Sequence, residues 1–177
     1  MDNEHPIPNT YCVVSGQFAA GAYPCLEDSE CAREKLRSLL EYGISVFFDL
    51  TERDELEPYS DILTHEAGKF GTVTEFQKCP LGDMTTPSSE MMTKVLDAID
   101  ASIKAGKVVY LHCAAGLGRT GVVVGCYLVR HGMSGEEALE EIPRLRRRDR
   151  PNDTMISPET ESQRRMVLDW GLRLGGR

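Results

Sequence analysis

Cys113 and Arg119 stand six positions apart in the stretch Val108-Val109-Tyr110-Leu111-His112-Cys113-Ala114-Ala115-Gly116-Leu117-Gly118-Arg119-Thr120-Gly121. A cysteine thiolate is a nucleophile, and a guanidinium is a planar fork that grips two oxygens of a phosphate. Gly116, Gly118 and Gly121 let the backbone turn sharply and approach a ligand without a Cβ in the way. The β-branched and aromatic run before His112 reads as a strand, and Val122-Val123-Val124 opens a helix. A loop between such a strand and helix aims several backbone N–H groups into one concavity, which is an anion site. Cys113 would lie at its floor, where amide dipoles, the helix N-terminus and Arg119 all favour the thiolate. Ala114, Ala115, Gly116, Leu117, Gly118 and Arg119 form the expected phosphate-binding set. A nucleophile beneath a bound phosphoryl group, with donors on the equatorial oxygens, is arranged for covalent phosphoryl transfer.

That chemistry needs a proton donor for the departing oxygen. Asp83, in the polar turn Gly82-Asp83-Met84-Thr85-Thr86-Pro87 after a strand, is the candidate that can hang over the cradle; Asp49 and Asp54 are the alternatives. Taken alone, an Asp in a turn is an ordinary turn former.

The elements that must position these groups follow from periodicity. Residues 1–10 read as a loose lead-in, Tyr11–Val14 as a short strand, and 15–24 as an extended turn. A helix capped by Asp28 or Ser29 runs to Tyr42 with Gly43 as its stop, carrying Ala32, Leu36, Leu39 and Leu40 on one face. Ile44–Leu50 is a nearly continuous apolar run, the mark of a buried parallel strand. The polar loop after it lies at the strand's carboxyl end, where ligands bind in open α/β sheets, so Arg53 either borders the pocket or is solvated. A short helix before Gly68 and a strand over Val73–Leu81 follow. Pro87 starts a helix with Met91, Met92, Val95, Leu96, Ile99 and Ile103 inward, and Gly106 ends it. Beyond the loop come a helix over Thr120–His131, another capped by Ser134 with Glu137 and disturbed by Pro143, and a last one opened by Ser157-Pro158-Glu159. In that last helix Met166, Val167, Trp170 and Leu174 would pack, with Gly175-Gly176 fraying. The alternation predicts an α/β fold: a mostly parallel central sheet of four or five strands with helices on both sides, in one domain over 1–177.

Composition narrows the function. With 20 Lys and Arg against 28 Asp and Glu, the net charge is −8, which argues against general nucleic-acid or acidic-membrane binding. A basic site must therefore be local. Arg144, Arg146, Arg147, Arg148 and Arg150 form such a run, either a secondary site for acidic or phosphorylated substrate segments or a solvated helix end. The six cysteines show no Cys-x2-Cys pair and no companion histidines, so neither a metal nor a disulfide framework is expected. Cys79 and Cys126 are candidates to pair with an oxidised Cys113, or are plain core cysteines. No secretory start and no membrane span is read from the sequence, which points to the cytoplasm.

His-Cys-Ala-Ala-Gly-Leu-Gly-Arg-Thr resembles the His-Cys-x5-Arg-Ser/Thr signature of the cysteine-dependent protein tyrosine and dual-specificity phosphatases. Asp83, four residues before Pro87 and 30 before Cys113, resembles the general-acid loop of the compact dual-specificity members. The resemblance implies that the Thr120 hydroxyl hydrogen-bonds the cysteine sulfur, beside its plain reading as a helix N-cap. It implies that His112 fixes the loop, and that Gln163, in Ser162-Gln163-Arg164-Arg165, orients the hydrolytic water; a helix-surface glutamine is the alternative. It also implies a metal-free and cofactor-free phosphomonoesterase acting on phosphotyrosine, and on phosphoserine or phosphothreonine through a shallow pocket. Ala114, Ala115 and Leu117 stand where phosphoinositide phosphatases tend to carry lysines, which disfavours a lipid substrate. A small phosphorylated substrate such as an inositol phosphate or phosphoglucan, and a rhodanese-like sulfurtransferase, are the competing readings.

Overall fold

The computed structural model describes residues 9–25, 29–149 and 151–174. Within them lie β1 (Thr10–Val14), β2 (Phe18–Gly21), α1 (Ser29–Glu41), β3 (Ile44–Asp49), α2 (Ser60–Lys69), β4 (Glu75–Lys78), α3 (Ser89–Lys104), β5 (Val108–His112), α4 (Gly118–Arg130), α5 (Gly135–Asp149) and α6 (Glu161–Leu174). The five strands form one sheet in the order β1-β2-β5-β3-β4. β1 and β2 are antiparallel, and every other pair is parallel. The strand that carries the cysteine is therefore central, between β2 and β3.

From Val46 onward, past a register shift between Ile44 and Val46, alternation sorts the two faces of the sheet. Val46, Phe48, Leu50, Val109 and Leu111 pack under α3, α4, α5 and α6. Ile44, Phe47 and Tyr110 pack against Leu36, Leu39 and Leu40 of α1 and Leu63 and Ala67 of α2. Helices thus cover both faces. α4 is buried from Gly118 to Val129. A helix apolar all round belongs inside, and α3, α5 and α6 enclose it. At Gly125 a Cβ would come within 2.6 Å of Val167, so this glycine sets how closely α6 can approach.

Several boundaries differ from expectation. The stretch 15–24 contains a strand: Phe18-Ala19-Ala20-Gly21 pairs in register with Val109–His112 of β5. Four residues rich in Ala and Gly carry no strand signature, and long-range pairing decides the matter. The strand expected over Val73–Leu81 contracts to Glu75–Lys78 at the sheet edge. Pro87 lies before α3, whose N-cap is Ser88, accepting from the Met91 N–H at 3.1 Å. Pro143 sits inside α5 without ending it; burial of Ala138, Ile142 and Leu145 outweighs the one backbone bond a proline removes. The Ser134–Glu137 capping box is present, with bonds of 3.1 and 2.7 Å. α6 begins at Glu161, after Ser157-Pro158-Glu159 has crossed the N-terminus of α4. Asp28, Arg150, Gly175, Gly176 and the Leu174 side chain lie outside the described residues.

Candidate active site

β5 delivers His112 and Cys113 to the carboxyl end of the sheet, and the chain turns at once into α4. The turn is held from outside. Ala114 O accepts from the Tyr23 N–H at 2.9 Å, Gly116 O from Arg146 at 2.9 Å, and Leu117 O from the Ser157 hydroxyl at 2.8 Å. In a trans peptide the N–H opposes the C=O, so the amides of Ala115, Leu117 and Gly118 face away from these anchors. Gly116 has φ +72°, and a Cβ there would strike the backbone of Gly21. Both constraints require glycine. Its N–H donates to Cys113 Sγ at 3.3 Å.

Arg119, in the first turn of α4, is 3% exposed. Glu55 clamps its far edge, with Nη1–Oε2 at 2.7 Å and Nη2–Oε1 at 2.6 Å. Nη1 also donates to Leu81 O at 3.3 Å, and Nη2 lies 3.4 Å from Asp83 Oδ1. The Nε–H is buried without a hydrogen-bond partner in the protein. Burial alone would lower the basicity of the guanidinium; the Glu55 hydrogen bonds together with the negative charges of Cys113, Glu55 and Asp83 outweigh it and hold Arg119 above its ordinary value. The same hydrogen bonds hold the Glu55 carboxyl below the usual carboxylate range. Asp83 is 60% exposed, on a turn where Thr85 Oγ1 donates to Gly82 O at 2.8 Å and Met84 has φ +55°. Cysteine, arginine and aspartate therefore meet at one mouth.

A family model described as "Polymorphic toxin system, DSP-PTPase phosphatase" matches residues 22–133, which contain Glu55, Asp83, Cys113 and Arg119. The chain belongs to this phosphatase family. It is 38% identical over 159 residues to the Arabidopsis thaliana phosphatidylinositol 3,4,5-trisphosphate 3-phosphatase and protein-tyrosine-phosphatase PTEN1, covering 89% of this chain and 36% of that protein. It is 28% identical over 137 residues to the Candida albicans tyrosine-protein phosphatase CDC14, covering 76% and 24% respectively. The chain thus spans about a third or less of the length of these curated relatives. Among solved structures, Tk-PTP in its active form superposes with a TM-score of 0.73 at 26% identity, covering 94% of this chain and 98% of that one. PTPMT1 in complex with PI(5)P shares the fold, with a TM-score of 0.69 at 20% identity.

The remaining expected residues of this phosphatase fold fall as follows. His112 is fully buried, with Nε2 2.6 Å from Tyr59 Oη and Nδ1 3.9 Å from Asp49 Oδ1. Rings of Tyr23, Tyr59 and Tyr110 surround it at 5.2–5.6 Å. Burial pushes its pKa down to about 4, against the opposing Asp49 charge, so at neutral pH it offers the loop a dipole and no cation. Thr120 departs from expectation: its hydroxyl donates to Gly21 O at 3.4 Å rather than to the sulfur, tying α4 to β2. Asp49 accepts from Thr51 N, Thr51 Oγ1 and Lys78 Nζ at 2.7–2.9 Å, which leaves it a structural ion pair. Asp54 and Arg53 are exposed on the following loop.

Gln163 is neither a surface residue nor open to water. It is fully buried; its Oε1 accepts from the Glu159 and Thr160 N–H groups at 3.1 Å each, and its Nε2 donates to Thr85 O at 3.2 Å. With Thr160 Oγ1 accepting from the Gln163 N–H at 3.2 Å, Thr160-x-x-Gln163 is a capping box whose spare donor reaches the Asp83 turn.

The basic run divides by role. Arg146 is 2% exposed, pairs with the equally buried Asp153 at 2.7 Å and stacks over Tyr11, while holding the Gly116 carbonyl. Arg144 meets Glu140 and Glu141, and Arg148 donates to Cys12 O. Glu55 and Arg146 carry no motif of their own; the acidic loop after β3 and the arginine run were their only traces. All six cysteines are unbridged. Cys126 lies within the core on α4, and burial pushes the Cys79 thiol up. Among the described residues no three His, Cys, Asp or Glu gather as a metal site, and no helix is long and apolar enough to cross a membrane.

Proposed function

We propose that the chain is a phosphomonoesterase acting on phosphorylated protein through a cysteinyl-phosphate intermediate, without a metal or cofactor. The observation that carries this reading is the convergence on Arg119: it lies on the loop that begins at Cys113, close enough to feel the charge of that thiolate, and Asp83 stands 3.4 Å from it on the solvent side. The thiolate of Cys113 attacks phosphorus while the Arg119 Nε–Nη2 edge and the loop amides bind the non-bridging oxygens. The P–O bond to the leaving group breaks as Asp83 gives that oxygen its proton. The aspartate then takes a proton from water, which attacks phosphorus, releasing phosphate and the thiolate. In this scheme Gln163 is a positioning residue that fixes the acid turn through Thr85, and His112 fixes the loop. Residues 1–177 act as one domain, in the reducing cytoplasm that a reactive thiol requires.

The test is hydrolysis of p-nitrophenyl phosphate in EDTA. Cys113→Ser abolishes turnover. Asp83→Ala loses about 10²–10⁴-fold on alkyl phosphates and far less on the nitrophenyl ester, whose leaving group needs little protonation. Retained turnover in Cys113→Ser, or thiosulfate sulfurtransfer by the wild type, overturns the scheme. The identity with PTEN1 favours one second reading, a phosphoinositide substrate. Ala114, Ala115 and Leu117 supply no cation for further phosphates, and a panel of phosphopeptides against phosphoinositides and inositol phosphates separates the two.

A further inference from the structure

Beside the cradle lies a groove of about 450 Å³ between the outer face of α5 and the segment that crosses to α6. Pro143, Arg144 and Arg147 form one wall, Met155 and Ile156 the other, and Arg164 closes the end. Met155 and Ile156 are 54% and 65% exposed, two large apolar side chains side by side on a surface that hides most others. Arg147 and Arg164 are exposed, and among the described residues their side chains have no ion pair or hydrogen bond, whereas Arg144, Arg146 and Arg148 are all engaged. Two unpaired cations around an apolar floor are out of character for a chain of net charge −8. The groove also abuts the outer side of the phosphate loop. Ser157 lines it and donates its hydroxyl hydrogen to Leu117 O of the phosphate loop.

From this juxtaposition we infer that the groove receives an acidic segment of the protein substrate, flanking the phosphorylated residue and carrying one apolar side chain. The inference rests on the protein phosphatase reading above. Arg147 and Arg164 meet the carboxylates, and Met155 and Ile156 cover the apolar group. Concavity favours a peptide over a lipid bilayer, because a flat headgroup surface meets only the rim of a groove that a peptide can enter. Rim cations of this kind govern encounter rate and choice of partner more than the chemical step. The groove therefore discriminates among substrates that the cradle treats alike.

The test compares three substrates on the full chain: p-nitrophenyl phosphate, a phosphotyrosine peptide with an acidic and leucine-containing flank, and the same peptide with a Gly-Ser flank. Wild type is expected to favour the acidic peptide about tenfold in kcat/KM at low salt, with the preference shrinking as salt screens it. Arg147→Glu/Arg164→Glu is expected to erase the preference through KM, leaving p-nitrophenyl phosphate hydrolysis as in the wild type. Met155→Ser/Ile156→Ser is expected to lower it without altering its salt dependence. Equal kcat/KM for the two peptides in the wild type overturns the inference, as does a preference that survives the charge reversal. Sedimentation of the wild type, but not of the double-glutamate variant, with phosphatidylserine vesicles and no effect on peptides assigns the arginines to a membrane and also overturns it. Should no phosphate ester turn over at all, the phosphatase reading fails. Fluorescence anisotropy of the unphosphorylated acidic peptide, wild type against Arg147→Glu/Arg164→Glu, still decides the groove by itself.

Discussion

Replacing Gln163 by glutamate turns one donor nitrogen into an acceptor oxygen at a fully buried position. The Oε1 that accepts from Glu159 and Thr160 is retained, and Thr-x-x-Glu is as good a capping box as Thr-x-x-Gln, so α6 keeps its start. The 3.2 Å bond to Thr85 O is lost, and two oxygens then face each other under the acid turn. Leaving a buried acceptor without its donor costs about 1–3 kcal/mol. If the Asp83 turn bears that cost by leaving its place, general-acid catalysis falls about 5- to 150-fold, at 1.4 kcal/mol per tenfold. The assay is kcat/KM over a leaving-group series from p-nitrophenyl to phenyl to alkyl phosphate, with pre-steady-state release of nitrophenol. Gln163→Glu should steepen the dependence on leaving group, with the circular dichroism spectrum of the wild type and a Tm lowered by several degrees. Gln163→Ala, which removes cap and tether together, should show the same kinetic change and a lower Tm. An equal loss across the series, or no loss, refutes the tether. A burst of nitrophenol followed by slow turnover refutes it differently, by placing Gln163 on the water that cleaves the phosphocysteine.

Glu55→Gln removes a charge-assisted pair of bonds from Arg119, and inhibition by vanadate or phosphate should weaken about tenfold, with KM rising more than kcat falls. Unchanged inhibition would mean that the loop amides alone fix the anion. Arg146→Ala strands Asp153 in a buried setting and frees the Gly116 carbonyl; the expected loss is about 3–5 kcal/mol, or about 10 °C in Tm, read by denaturant and thermal melts. His112 is held neutral in the fold, with its pKa depressed from 6.5 to about 4. Protonation therefore favours the unfolded chain. Its contribution is intact above pH 6.5 and is lost as the pH falls towards 4, at up to about 1.4 kcal/mol per pH unit and about 3 kcal/mol in all. Urea melts at pH 7, 5.5 and 4.5 measure that slope, and His112→Asn should flatten it.

The β5–loop–α4 unit was legible because it is local: glycines, a β-branched run and an apolar helix stand next to one another in the chain. The place of Asp83 beside Arg119 was legible from the chemistry the cysteine needs. β2 was not, because Phe18-Ala19-Ala20-Gly21 becomes a strand only through its partner β5. Nor could the burial of Arg146 be told from that of Arg147, since their difference is set by where α5 faces the phosphate loop and not by either residue's type. Pro143 lies inside α5, where tertiary burial along the helix offsets a local breaker. Gln163 is the instructive case. Thr160-x-x-Gln163 has the same capping spacing as Ser134–Glu137, a local helix signal that stands in the sequence beside its resemblance to a water-orienting glutamine.

The two rims of the sheet bear on how the protein behaves when concentrated. β4 is only four residues long, and its outer ends carry Glu75, paired with Lys107, and Lys78, paired with Asp49. On the other side β1 changes register between Cys12 and Val14, and Arg148 from α5 occupies the Cys12 carbonyl. A short, charge-bracketed rim and a kinked, covered one both resist templating a further strand. Association of this chain with itself should therefore proceed through side-chain surfaces, and fibrillar growth by strand addition should be absent even at millimolar protein.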